Sequence, residues 1–408
     1  MPRKKNRLRQ IVGGALLVFM AILIAWPAIE FFVRSSAYSR PSVAFERLER
    51  LAMLRTWLMN LFGIGWFFCV GAVIGSFLNV VVWRLPRGAS VVDKPSSCPF
   101  CCTKINALDN VPVIGWINLE GRCRACRLPI SSRYPLVEAT MGLIFVILLF
   151  AELLSGGANL PGVPLTTARG FTGVVFEARW SILRVYAYHA ALFCWLAPWA
   201  LIAWDRQRIP KSTFAVAALV GLGAPLIWPG LHPLAALDAG LPPRWAELAT
   251  GLIGALVGLG LGLGVRWCEQ RMEEDRSRGW ALPTMLCMIG LFLGWQAVLT
   301  ITAIAMPPYA IIYFVRLRQG KLLRRGCAEG ALVAAALAAI CLWNDWADLV
   351  WLPGEAFSAV GLCVVLPAYV LSVALIAGGR RLPHVDKRRF QLVEAVSPPR
   401  TEPIEFNT

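Results

Sequence analysis

The sequence predicts an all-α polytopic membrane protein of about ten transmembrane helices, interrupted by a small cytoplasmic knuckle insertion. Three observations carry that prediction. The 408 residues are 57% hydrophobic and only 16% charged, whereas about a quarter of a soluble domain is charged. Apolar runs long enough to cross about 30 Å of hydrocarbon recur along nearly the whole chain. Lysine and arginine collect in alternate loops, as the positive-inside rule demands.

The elements follow in order. "MPRKKNRLRQ" is basic and starts in the cytoplasm, and "IVGGALLVFMAILIAWPAIEFFV" is too long, and too poor in small-residue cleavage sites, for a secretory signal. Spans are expected at 11–33, 57–82, 134–155, 184–204, 212–230, 248–266, 282–299, 301–315, 328–343 and 356–378. The segment around 83–133, "DRQRIPK", "RWCEQRMEEDRSRGW", "RLRQGKLLRR" and "GGRRLPHVDKRRF" all carry clusters of Lys or Arg and read as cytoplasmic. The loops between them on the other side are poor in Lys and Arg, the first one (Arg47, Arg50, Arg55) excepted. Both termini are therefore expected in the cytoplasm. Trp83, Trp204, Trp267 and Trp280 fall at the cytoplasmic interface, where aromatic belts sit. The polar tail after residue 380 reads as disordered. This gives an N-terminal extra span with its external loop (1–56), a first helix plus knuckle (57–133), a helical membrane domain (134–379) and a tail (380–408).

The net charge of +16 fits topology and anionic headgroups. No basic stripe with interleaved aromatics points to nucleic acid. Of twelve cysteines, Cys98, Cys101, Cys123 and Cys126 form two CxxC pairs, Cys102 adjoins them, and seven are scattered in or near apolar segments, where a thiol serves as a small hydrophobe. Two thiolates three positions apart grip one side of a metal, and a second pair completes a tetrahedron. In a reducing compartment the four read as a zinc knuckle, or a site for a similar soft metal; four unmetallated thiols are the other reading. The segment is too small to bury much core, so an ion would staple it. Cys102 is read as a spare.

Gly71 and Gly75 form a small-xxx-small pair suited to close helix packing, and Asn79 in an apolar span needs a polar partner. Arg84, Arg87 and Lys94 follow at the membrane surface, where long cations snorkel. Together, "GAVIGSFLNVVVWRLPRG" before the knuckle, the CPxC, DNVPVxGW and GRCRxC runs within it, and "PISSRYPLVEATMGLIF" after it resemble the prepilin peptidases. These are bifunctional inner-membrane enzymes of type IV pilus and type II secretion systems. The resemblance is dense over Gly75 to Glu138 and loose beyond. It implies leader cleavage at the cytoplasmic face by an aspartyl pair, followed by N-methylation of the new terminus with S-adenosylmethionine. It also implies substrate contacts at Gly75, Asn79 and Arg84, and pilin-like partners or secretion components beside the lipid bilayer.

The acids depart from the family pattern. Seven residues before Pro210, where I-D-x-D-x-x-x-x-P places its first Asp, stands Ala203; Asp205 fills the second acidic position, about 200° further round a helix. Aligning "GLFLGWQAV" puts Leu282 at the GxGD aspartate, with Ala281 for the preceding glycine and Thr284 for the lysine. Asp275, with Glu273 and Glu274, lies in a charged loop seven residues back. His189, His232 and His384 have no ligand spacing; His189, inside a span, reads first as a hydrogen-bonded structural group. Three readings stand: a prepilin-handling protein with a lost aspartyl site and its leader-recognising knuckle retained, an active peptidase using displaced Asp205 and Asp275, and a non-catalytic assembly factor.

Overall fold

In the computed structural model, the described residues are 43–92, 95–160, 170–171, 173, 179–232, 241–270, 280–319, 326–347, 349 and 359–378. The predicted span at 11–33, Asp275, His384 and the tail lie outside them. Eight long helices form the body: α1 (Val43–Arg84), α2 (Arg133–Leu148, prolonged by a π turn at Leu149–Leu154), α3 (Trp180–Trp204), α4 (Lys211–Ile227), α5 (Pro243–Gln270), α6 (Ala281–Arg318), α7 (Cys327–Cys341) and α8 (Ala359–Gly378). Five of the helices, α1, α2, α3, α5 and α6, are long and apolar enough to cross a membrane; α4, α7 and part of α8 are shorter apolar helices. No strand occurs among the described residues, only two isolated bridges in the knuckle. The architecture is all-α and multi-pass.

Glycine contacts set the helix spacings. A Cβ on Gly71 would lie 2.7 Å from the Met141 carbonyl, and one on Gly75 2.9 Å from Glu138 Cα, so α1 and α2 meet backbone to backbone. That is the close approach expected of the pair. A tighter seam joins α5 to the start of α6. Cβ atoms on Gly254, Gly258 and Gly262 would lie 2.1, 2.1 and 2.4 Å from Gly290, Leu286 and Pro283 backbone atoms. Three glycines four apart line one helix face. Gly258→Leu is expected to pry this pair apart and destabilise the protein by about 1–3 kcal/mol or more, read as a lower melting temperature in detergent.

The two spans expected at 282–299 and 301–315 fall on the single helical run α6, broken at Gly294 (φ 86, ψ 173) and not near residue 300. Gly294 is a reversal. Phe292 stacks on Tyr188 in the first half of α3, with ring centroids 4.6 Å apart. Gly326, which opens α7, packs on Trp204 at the other end of α3. Sixteen helical residues, about 24 Å, separate those levels, so the chain after Gly294 must return along the bundle. Only glycine occupies that φ/ψ region without penalty.

Hydrogen bonds from tyrosines then stitch helix to helix. Tyr186 donates to the Phe145 carbonyl, Tyr188 to that of Gly221 and Tyr369 to that of Leu261. The main core runs through α2, α3 and α6, with Met141, Leu148, Leu192, Leu196, Ile289 and Phe292 fully buried.

Candidate metal centre and candidate active site

The insertion is built from two copies of one turn. Cys98 N–H donates to the Thr103 carbonyl and Cys102 N–H to that of Cys98; Cys123 and Arg127 repeat the pattern with Leu128 and Cys123. Bridges Ser97–Lys104 and Arg122–Pro129 close the two turns at the same offset. Cys102 (φ 56) and Arg127 (φ 59) are the left-handed residues at equivalent places. Cys102 is thus a turn residue and not a fifth ligand.

The two turns face each other. Cys98 and Cys126 sulfurs lie 3.8 Å apart, those of Cys101 and Cys123 3.9 Å apart, and all four are within 4.8 Å of one another. A tetrahedron of thiolates with metal–sulfur bonds of about 2.3 Å has edges of about 3.8 Å. A disulfide needs about 2.05 Å. The four cysteines can therefore hold a metal ion, as the sequence predicts. The Thr103 hydroxyl and then its N–H push the Cys101 thiol down to about 6. The N–H groups of Cys126 and Ala125 lower Cys123. Donors aimed at these two sulfurs favour the thiolates that a metal requires, while the Leu128 N–H is outweighed by burial and the neighbouring sulfurs, which hold the Cys126 thiol up at about 11.

Polar contacts fix the module to the membrane helices. Arg84 guanidinium reaches the carbonyls of Ser90 and Pro95. Asn79 donates to the Tyr134 carbonyl at 3.2 Å, which satisfies the buried amide. Glu138, buried in the second turn of α2, accepts from Val113 N–H at 2.7 Å and from Ser76. Trp116 donates to the Ile130 carbonyl. Arg124 forks onto both oxygens of Asp109. Gly75 serves the α1–α2 crossing.

The two positions that the resemblance assigns to acids carry buried alkyl side chains. Ala203, in the last turn of α3, is 8% exposed, and Leu282, in the first turn of α6, is 5% exposed and part of the main core. Asp205 caps α3 and is held by Arg133, Nη1 to Oδ1 at 2.5 Å, while Nη2 reaches the Leu201 carbonyl. This contact joins the start of α2, next to the knuckle, to the end of α3. Thr284, at the lysine position, turns its hydroxyl back to the Trp280 carbonyl. Arg266 lies over the Trp280 ring at 4.2 Å.

Two acid–histidine pairs escaped the sequence reading. Glu152, in the π turn, meets His189 Nδ1 at 2.5 Å, both side chains being fully buried, and the imidazole stacks on Trp343. Glu152 Oε2 and His189 Nε2 have no hydrogen-bond partner among the described residues. Glu247 binds the ring and backbone of His232 and the Gly230 N–H, and His232 Nε2 donates to the Leu291 carbonyl. The signal was present, since an acid such as Glu152 inside an apolar span must find a partner. His189→Ala is expected to cost about 3–5 kcal/mol by leaving Glu152 unpaired. Glu152→Leu/His189→Phe should be closer to wild type than either single change. Thermal unfolding of the three variants in detergent checks this.

Fold and site together define a helical multi-pass membrane protein with a four-cysteine module between its first two described helices. The profile of the bacterial peptidase A24 N-terminal domain matches residues 69–151. A prepilin leader peptidase/N-methyltransferase of Klebsiella pneumoniae is 32% identical over 246 residues, 59% of this chain and 89% of the relative. One from Aeromonas hydrophila is 31% identical over 56% of this chain and 73% of the relative. One from Burkholderia pseudomallei (strain 1026b) is 29% identical over 67% and 82%. No solved structure matches the chain. The chain belongs to the prepilin leader peptidase/N-methyltransferase family.

Proposed function

We propose that this protein engages prepilin-like leaders at the cytoplasmic face of the inner membrane without cleaving them by the family's aspartyl mechanism. The observation that carries this reading is a contrast within one chain. The module from Gly75 to Glu138 keeps its packing glycine, its cysteines and its polar ties, while both positions that the resemblance assigns to acids hold buried alkyl side chains. Aspartyl hydrolysis needs two facing carboxylates that share a proton and activate water. Alanine and leucine can do neither.

Zinc is the ion we assign to Cys98, Cys101, Cys123 and Cys126, because four thiolates at tetrahedral spacing in a reducing compartment suit it. Its contribution is structural, stapling a module with little core of its own. Gly75 supplies the close helix crossing, while Asn79 and Arg84 fix the knuckle's entry from α1; these three sit where a leader would meet the module. Methyl transfer from S-adenosylmethionine comes to this chain from the relatives' names alone, and no residue here is assigned to that cofactor. Both termini facing the cytoplasm, and pilus or type II secretion components as partners, belong to the same reading.

The competing peptidase reading needs Asp205 and Asp275. Arg133 already engages Asp205, which supports a clamp between α2 and α3 as its role. The test offers the purified chain a leader-bearing prepilin, then a pre-cleaved pilin with labelled S-adenosylmethionine. Binding without shortening supports the proposal, and added label on the pilin terminus would retain the methyltransferase arm. Shortening that disappears in Asp205→Asn or Asp275→Asn overturns it. Absence of leader binding leaves the assembly-factor reading.

A further inference from the structure

We infer that the segment 107–118 of the insertion is an interfacial membrane anchor whose partner is an anionic phospholipid surface. Its two short helical pieces, Ala107–Asn110 and Ile114–Asn118, turn large apolar side chains outward. Leu108 is 74% exposed, Ile114 56% and Ile117 45%, and Val111 is exposed beside them. A water-facing loop has no reason to present four such residues within ten positions.

Depth decides where they go. Val113 N–H is bound to Glu138, which lies five residues inside α2 from Arg133. Five helical residues rise about 7.5 Å, and the side chain leans back toward the helix start by a few Å. The Val113 amide therefore sits about 5 Å within the level at which α2 begins. Trp83 and Tyr134, both exposed aromatics at the ends of α1 and α2, mark that level as the interface. Val111, Ile114 and Ile117 flank an amide tethered at or below it, in the layer of about 5–10 Å that surface helices occupy. Two further ties keep the segment there. Arg124 forks onto Asp109, and a Cβ on Gly115 would meet the Asp109 carbonyl at 2.2 Å, so the two short pieces are locked together.

Charge selects the partner. Residues 84–133 carry eight Lys and Arg against three Asp and Glu, and with the −2 of a four-thiolate zinc centre the segment keeps a net charge of about +3. That balance attracts phosphate headgroups and disfavours a basic polypeptide at the same surface. Apolar anchor and basic surround are the two signals that stable surface binding combines.

The test uses the full chain in nanodiscs, with photoreactive benzoylphenylalanine replacing Ile114, Ile117 or, as a water-facing control, Glu120. The cysteine-bound metal content serves as the folding check for each variant. Expected are phospholipid adducts at both isoleucine positions, several-fold above the control, which weaken when phosphatidylglycerol is replaced by phosphatidylcholine. Adducts confined to this chain, or to a copurified protein in native membranes, overturn the anchor, as does their absence from folded protein. Equal lipid adducts in the two bilayers overturn the choice of an anionic surface. The metal-free alternative readout is amide exchange over 111–118, which should quicken in Ile114→Asp/Ile117→Asp while the α1 and α2 amides stay protected; unchanged exchange would also sink the proposal.

Discussion

Purified full-length protein, incubated in detergent with a leader-bearing prepilin, is expected to yield no shortened product over a time in which a relative with both aspartates converts its substrate completely. The size of the effect follows from the chemistry. Enzymes lower barriers by about 8–23 kcal/mol, and on the proposed reading the positions that would share the proton and activate water carry the methyl of Ala203 and the isobutyl of Leu282, both buried. On the same reading Asp205 supplies no second route. Its carboxylate is engaged by Arg133 across 72 residues of sequence, at the mouth of the bundle. Asp205→Asn is thus expected to loosen the α2–α3 contact by about 1 kcal/mol, given its partial exposure, with no change in a cleavage rate already at background. Mass spectrometry of the pilin N-terminus distinguishes the outcomes.

Cys98→Ser/Cys123→Ser is expected to abolish metal binding and unfold the insertion, leaving the helices inserted. Structural zinc in small modules contributes about 10–16 kcal/mol of apparent binding energy, and one cysteine lost from each turn removes half the donors. Elemental analysis should show about one ion per chain in wild type and none in the variant, with protease sensitivity rising between residues 95 and 130. Cys102 is the internal control. It sits in a left-handed turn at φ 56, so Cys102→Gly should retain the ion and relieve about 1 kcal/mol of backbone strain. Loss of the ion from the Cys102 variant alone would contradict the geometry.

The parts of this molecule that could be read from the sequence are those governed by neighbours in the chain. CxxC spacing fixes a turn whatever surrounds it, and Gly71 and Gly75 fall on one helix face by periodicity alone. Hydropathy located the apolar helices because lipid imposes one rule along the whole span. It did not place the reversal at Gly294, since Leu293, Gly294 and Trp295 are as apolar as the helices they join, and only a backbone torsion marks the turn. The partners of Asp205 and His189 stand 72 and 37 residues away. Nothing local specifies such pairings; they arise when helices dock. The α5 glycines carried a legible pattern, four apart, but their mates Pro283, Leu286 and Gly290, though on one helix face, are not a run of small residues that would mark them.

That seam has a bearing on what the rest of the bundle can tolerate. Gly290 and Gly254 approach so closely that neither tolerates a methyl group, and this bare-backbone contact fastens the first half of α6 to α5. The residues of the seam carry no charge, so on the proposed reading the frame stands without a carboxylate at either position. The spacing of the two helices is set by backbone atoms, whatever side chain stands at position 282.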